Sequence, residues 1–365
     1  MHILIFNWRD PKNPQSGGAE IVTLEHAKAW VKKGHCVTWF TSQFPGASEE
    51  ETIDGVHIIR RGTAFGVYFL TPFYYLKNKN KFDIVIDEIH GLPFFTPLYV
   101  KKPKVAFIHE VAAEIWDYMY PFPVNIIGKF LESLCFRFYK SVPFWVVAPS
   151  TIKELEQFGI NKTQCHIITS SINNNVLTTL PVKEKTITYI FISRLVKMKG
   201  IEEIIKAFGF IHKEDQKAQL WIVGSGETTY IQTLKDMVKQ YNMQKHVTFW
   251  GRVADEEKIA LLRRAHIILH ASIKEGWGLV IIEAASQATP AVVYNVAGLC
   301  DSVKHNHTGI VLTENTPKEM ATHALLLIHD KTRYAALQKN CLHWAGSLTW
   351  EKATEESLKL LINSL

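Results

Sequence analysis

The sequence predicts an α/β fold: two doubly wound parallel-sheet domains facing a central cleft. Three observations predict it. The chain has 365 residues, too many for one ordinary core and enough for two domains of usual size. Short apolar runs alternate with stretches of helical periodicity along most of the length, the pattern of parallel strands joined by crossover helices. Near the middle, at residues 171–185, that pattern stops and then begins again.

The first domain, residues 1–170, opens on an apolar strand at 2–8 and a loop holding Pro11, Pro14, Gly17 and Gly18. A helix is expected over 19–33, with Ile21, Leu24, Ala27 and Val31 on one face. Gly34 stands where a helix usually stops, and 35–41 alternates like a strand, which completes a βαβ unit. Further strands are expected at 82–86, 104–108 and 145–147, and Thr151 with Glu154 reads as a capping box opening a helix that Gly159 closes. Residues 171–185, with consecutive asparagines and Pro181, carry little periodicity and read as a linker. The second domain, 186–345, repeats the alternation, with strands at 186–193, 219–223, 247–250, 267–270 and 291–294. Its helices are expected at 201–212, 230–241, 256–264 and 278–287. The last stretch, 346–365, holds an amphipathic segment at 350–362, after the second domain is complete.

The composition, 47% hydrophobic and 21% charged, is that of a globular enzyme rather than a disordered or fibrous chain. The opening apolar run meets Arg9 and Asp10 too soon for a signal peptide, and no run approaches the roughly 20 apolar residues of a spanning helix. Five scattered cysteines without a CxxC pair suit reduced thiols, so a cytoplasmic location is expected, with the cytoplasmic face of a membrane as its variant. A net charge of +6 suits an anionic substrate or an acidic membrane face, whereas no Lys/Arg cluster with interleaved aromatics points to nucleic acid.

Open parallel sheets bind ligands at the carboxyl ends of their strands, and four strand-to-helix turns here are unusual. Ser16-Gly17-Gly18-Ala19-Glu20 puts a glycine pair at a helix start, where free amides favour an anion. Arg194 and Lys199, in the turn Ser193–Gly200, are cations suited to a diphosphate leaving group. Val223-Gly224-Ser225-Gly226 lets a nucleotide come close, but it lacks the third glycine and the distant acid of a dinucleotide fingerprint, which disfavours NAD. The most specific turn runs from Glu275 through Gly276, Trp277, Gly278, Leu279 and Val280 to Glu283. Glu275 lies before the helix and Glu283 about five residues inside it, roughly 7.5 Å along the axis, so one carboxylate can meet a sugar and the other a ribose. The amides of Gly278–Val280 point between them at any phosphate placed there. His109-Glu110 does not start a zinc HExxH motif, because residue 113 is Ala. His305-Asn306-His307 has no third ligand and reads as a surface loop, so no metal site is expected.

Taken together these motifs resemble the family 4 glycosyltransferases of the GT-B fold, two Rossmann-like domains, over nearly the whole chain. The resemblance implies that Arg194 and Lys199 bind the donor diphosphate and stabilise it as it leaves, in place of a divalent metal. It implies that Glu275 holds donor-sugar hydroxyls, Glu283 the ribose, and backbone near Arg252 and Val253 the base. His109 would stand beside the anomeric centre, and Gly18 would meet the diphosphate. The last helix would cross back to the first domain. Retention of anomeric configuration, a nucleotide-diphosphate sugar as co-substrate without cofactor or metal, and a saccharide or lipid-linked acceptor are likewise implied. Glu227 stands where many members carry proline, and Ser170-Ser171-Ile172 replaces a common Asn-Gly turn. The alternatives are a nucleotide-sugar 2-epimerase, which shares this architecture, and a non-catalytic nucleotide-sugar-binding module. Residues 115–140 mix aromatic and apolar side chains with Lys129, Arg137 and Lys140, a composition suited to an anionic membrane surface.

Overall fold

The apolar run that opens the chain becomes a strand, His2–Phe6 (β1), whose residues from Ile3 onward are shut away from solvent. A strand buried on both faces needs apolar side chains at successive positions and helices above and below it. The computed structural model, which describes residues 1–173 and 175–365, builds the first sheet around β1. The other strands are Cys36–Thr41 (β2), Glu50–Ile53 (β3), Val56–Arg60 (β4), Ile84–Ile89 (β5), Lys104–Ile108 (β6), Phe144–Val146 (β7) and Cys165–Ile167 (β8). Their order is β3-β4-β2-β1-β5-β6-β7-β8, and only the β3–β4 pair is antiparallel. Gly18–Lys32 (α1), Gly66–Asn78 (α2), Ile115–Met119 (α3), Val124–Phe136 (α4) and Pro149–Gln157 (α5) connect them.

Two expectations are corrected here. β5 runs past the expected end at residue 86 to take in Asp87 and Glu88, both fully buried. Asp87 belongs inside because it accepts hydrogen bonds from the Phe94 and Thr96 amides and from the Thr96 and Tyr139 hydroxyls. The expected capping box at Thr151 is absent, because Pro149 at the first helical position starts α5 three residues earlier, with Ala148 as its N-cap. The Thr151 hydroxyl instead donates to the His109 carbonyl at 3.3 Å.

The second sheet is parallel throughout, in the order β11-β10-β9-β12-β13-β14. Its strands are Thr188–Ile192 (β9), Gln219–Val223 (β10), Val247–Gly251 (β11), Ile267–His270 (β12), Ala291–Val293 (β13) and Gly309–Val311 (β14). The helices are Ile201–Glu214 (α6), Thr228–Gln240 (α7), Asp255–Arg264 (α8), Leu279–Ser286 (α9), Leu299–Ser302 (α10), Pro317–His329 (α11) and Lys331–Ser347 (α12), and Trp350–Asn363 (α13) ends the chain.

The chain divides into one unit of Met1–Ser170 with Thr349–Leu365 and another of Ser171–Leu348. In the first, α13 packs on α1: the Ser357 hydroxyl lies 2.8 Å from His26 Nδ1 and accepts from Trp30 Nε1 at 3.2 Å. In the second, the segment read as a linker is tied down, Leu177 N donating to Ser286 O and Lys183 Nζ to Thr289 Oγ1 at 2.6 Å. Asn174, within that expected linker, lies outside the described residues.

Candidate functional site

In the second unit the sequence-predicted residues gather at the carboxyl ends of the strands. After β9, Arg194 is exposed and forms no ion pair among the described residues. The turn that holds it is laced to the Gly-x-Gly turn after β10: Ser193 N donates to Val223 O at 3.1 Å and Leu195 N to Ser225 O at 2.8 Å. A Cβ on Gly224 would stand 1.8 Å from Ser193 O, and one on Gly226 would stand 2.2 Å from Leu195 O. These glycines are therefore required by chain packed against chain, a reason the sequence alone does not reveal.

Lys197–Lys199 forms one tight turn, and Gly200, at φ +69°, lets the chain pass against Ala271 O, which a Cβ would approach to 2.0 Å. That passage brings the Lys199 ammonium to 2.7 Å from Glu275 Oε1. The same oxygen accepts from Ser272 Oγ at 2.7 Å, and His270 Nε2 lies 3.8 Å away. Burial pushes the Glu275 carboxyl up, but Lys199 beside it wins and holds it below the ordinary range. Burial drives His270 down to about 4, so it is neutral at pH 7.

Gly278, at φ +75°, precedes α9, leaving the amides of Leu279 and Val280 in its first turn. Glu283 sits farther along α9, and its Oε1 is 2.8 Å from Lys258 Nζ of α8. Burial raises the Glu283 carboxyl above its ordinary value, with Lys258 opposing. Trp277 is buried. Arg252 is exposed and Val253 half-buried, just after Gly251, whose carbonyl accepts from Gly224 N at 2.8 Å.

In the first unit Gly17 and Gly18 stand at the start of α1, where Gly17 N donates to Glu20 Oε2 at 2.7 Å. His109 follows β6 directly, its Nε2 3.3 Å from Oε1 of the buried Glu88. His90 Nε2 at 3.2 Å and the Thr23 hydroxyl at 2.9 Å meet the same oxygen, and the rings of His90 and His109 stack at 5.8 Å. Burial alone raises a carboxyl, yet the bonds from His109 and His90 bring Glu88 down to about 2. His90 is pulled down by burial and up, by more, by Glu88. With Nε2 against a carboxylate, His109 carries its proton there and leaves Nδ1 for another partner.

Sequence reasoning missed Glu88, His90, Thr23, Lys258 and Ser272. Asp87-Glu88 followed by His90 at a strand end was the available signal for the first two. Lys258 reads as one more charge on an exposed helix, and only the fold brings it to Glu283.

Residues 16–175 match the family described as Glycosyltransferase Family 4, and residues 177–344 the family described as Glycosyl transferases group 1. An uncharacterized glycosyltransferase of Methanocaldococcus jannaschii is 26% identical over 348 residues, covering 88% of this chain and 87% of that protein. The fold is similar to that of sucrose-phosphate synthase from Thermosynechococcus elongatus, with a TM-score of 0.82 at 18% identity over 99% of this chain and 98% of that one. It is also similar to Anabaena HepE in complex with UDP-glucose, with a TM-score of 0.75 at 15% identity over the whole of both chains.

Proposed function

The chain belongs to the family 4 glycosyltransferases, with the GT-B fold, and on that premise we propose that it moves a sugar from a nucleotide-diphosphate donor to a saccharide or lipid-linked acceptor with retention of configuration. The observation that carries this reading is the cluster at the carboxyl ends of β9 and β12, where Lys199, Ser272 and Glu275 meet in front of α9. A cation and an anion held 2.7 Å apart at the mouth of a parallel sheet suit a ligand with a phosphate end and a hydroxyl-rich end.

In this reading Arg194 and Lys199 neutralise the diphosphate while Glu275 accepts hydrogen bonds from sugar hydroxyls. The bond from C1 to the β-phosphate oxygen breaks with its electron pair passing to phosphate. The acceptor oxygen forms its bond to C1 on the same face, and its proton passes to the departing phosphate. Fixed cations supply the charge stabilisation a metal would otherwise give, so transfer proceeds without one. His109, oriented by Glu88, is the first-unit residue to which this reading assigns the donor sugar. Complexes of HepE with UDP-glucose support a nucleotide sugar as donor.

The test is a thermal-shift screen with UDP-, GDP- and ADP-sugars, followed by NMR of the early product. A ligand at 100 times its Kd stabilises by about 2.7 kcal/mol. One donor class is expected to shift the melting temperature, and an α-linked donor to give an α-glycoside. A β product would overturn retention, and conversion of the donor sugar without transfer would favour the epimerase.

A further inference from the structure

Helix α2 is apolar on both sides. Val67, Thr71 and Tyr75 form its buried face, while Phe65, at its N-cap, Phe69 and Phe73 repeat on the other side with 67%, 77% and 72% of their surface exposed, and Leu76 extends the row. Three phenylalanines facing water are unfavourable unless something covers them. The loop after β5 carries this face toward a second one. Tyr68 of α2 stacks on Phe94 and donates to Leu92 O, and a Cβ on Gly91 would stand 3.3 Å from the Trp116 ring of α3. Beyond α3, Phe122, Ile126 and Phe130 at α4 are again exposed.

The exposed charges beside these faces are mostly positive, the acids there being Asp83 after Lys81 and, at α3, Glu114 and Asp117, the last paired with Lys129 of α4. Residues 56–82 contain no Asp or Glu, and Lys77, Lys79 and Lys81, at the end of α2 and just after it, are exposed. Between residues 118 and 140 the one acid is Glu132, which is buried and accepts from the Ala112 and Ala113 amides, whereas Arg137 and Lys140 face solvent. We propose that α2 and α4 together form a docking surface for an anionic lipid bilayer, with the phenylalanines entering the headgroup boundary and the cations meeting lipid phosphates. Phenylalanines flanked by lysines, with exposed cations outnumbering the acids around them, fit that interface. A second copy of this chain fits poorly, since a two-fold contact through this face would set its cations against one another. The bilayer also deepens the transferase reading, on which this one point rests: the acceptor is then membrane-borne.

Co-sedimentation of the full chain with phosphatidylcholine vesicles, with and without phosphatidylglycerol, tests the surface at low salt. Binding is expected only with the anionic lipid. Lys77→Gln/Lys79→Gln/Lys81→Gln is expected to weaken it about a hundredfold, at about fivefold per cation. Phe69→Ser/Phe73→Ser is expected to weaken it by about tenfold or more. Both variants replace exposed groups and are expected to keep the parent's melting temperature and donor turnover on a water-soluble acceptor. Loss of vesicle binding with that turnover intact supports the surface, and absence of turnover in every form, parent included, bears on the transferase reading alone. Equal binding to both vesicle types, no binding to either, or variants that bind like the parent would overturn the proposal. So would a dimer in sedimentation equilibrium that Phe69→Ser/Phe73→Ser abolishes, which would assign the face to a second copy.

Discussion

Lys199 answers to two partners. It holds Glu275 ionised inside the protein, and in the proposed reaction it meets the diphosphate, whose charge grows only as the glycosidic bond breaks. A fixed cation favours the state in which that charge is largest, so its removal lowers turnover more than it weakens donor binding. Lys199→Ala is expected to cost about 10²–10³ in kcat, with a smaller change in KM, and activity is expected to survive EDTA. Near-parent kinetics in both Lys199→Ala and Arg194→Ala, or loss on chelation with rescue by magnesium, would refute this assignment. Lys199 and Glu275 were legible because a cation in a strand-to-helix turn and a carboxylate before a glycine-flanked helix are odd choices for a purely structural loop. Glu88 was not legible. His90 two residues on was its one local signal, but its other partners, Thr23 and His109, are distant in sequence and on other elements, and a carboxylate ending an apolar run reads as the point where a strand leaves the core.

Elements place these residues through close approaches that leave no room for a side chain. Gly200 carries the chain from the Lys199 turn into α6 at a left-handed φ, against the carbonyl of Ala271. Gly200→Ala combines backbone strain with overpacking, and is expected to destabilise the second unit by about 2–5 kcal/mol. It should also displace Lys199 from Glu275. Urea unfolding reads the first effect, and a midpoint within experimental error of the parent would show that the Ala271 contact does not constrain the turn. Most strands of the sheets announced themselves as apolar runs, because strands covered on both faces cannot alternate with polar residues. The β3–β4 hairpin was missed although Asp54-Gly55 is a tight-turn pair, both residues having positive φ. Its outer strand is half exposed and begins with two glutamates, so it reads as loop. The start of α5 was misplaced because two signals competed: Pro149 at the first helical turn outweighed Thr151 as a cap.

Across the molecule, burial of neutral histidines ties stability to pH, and it does so differently in the two units. In the second unit burial drives His266 and His270 each down to about 4, against an ordinary value near 6.5. Between about pH 4 and 6.5 the unfolded chain therefore binds protons that the folded unit refuses, and stability falls as pH falls through that window. In the first unit His26 is driven by burial to about 3 and acts in the same sense. His90, raised by Glu88 despite its burial, acts in the opposite sense: its contribution is fully present below pH 6.5 and is lost as pH rises through its folded value. The second unit is thus expected to lose about 2–3 kcal/mol between pH 7 and pH 5.5, two histidines each contributing a little over 1 kcal/mol, and the first unit less. The carboxyls of Glu88 and Glu275, both lowered, add to acid sensitivity only as pH falls below about 4.5, outside that interval. Hydrogen exchange separates the units, because the slowest amides in a sheet report the opening of the whole cooperative element. Protection in β9 and β12 should drop more steeply than in β1 and β6 over that interval, and His270→Gln should remove about half of the slope in the second unit. Equal slopes in the two sheets, or a His270→Gln slope matching the parent, would mean that these buried rings are not what links folding to protons.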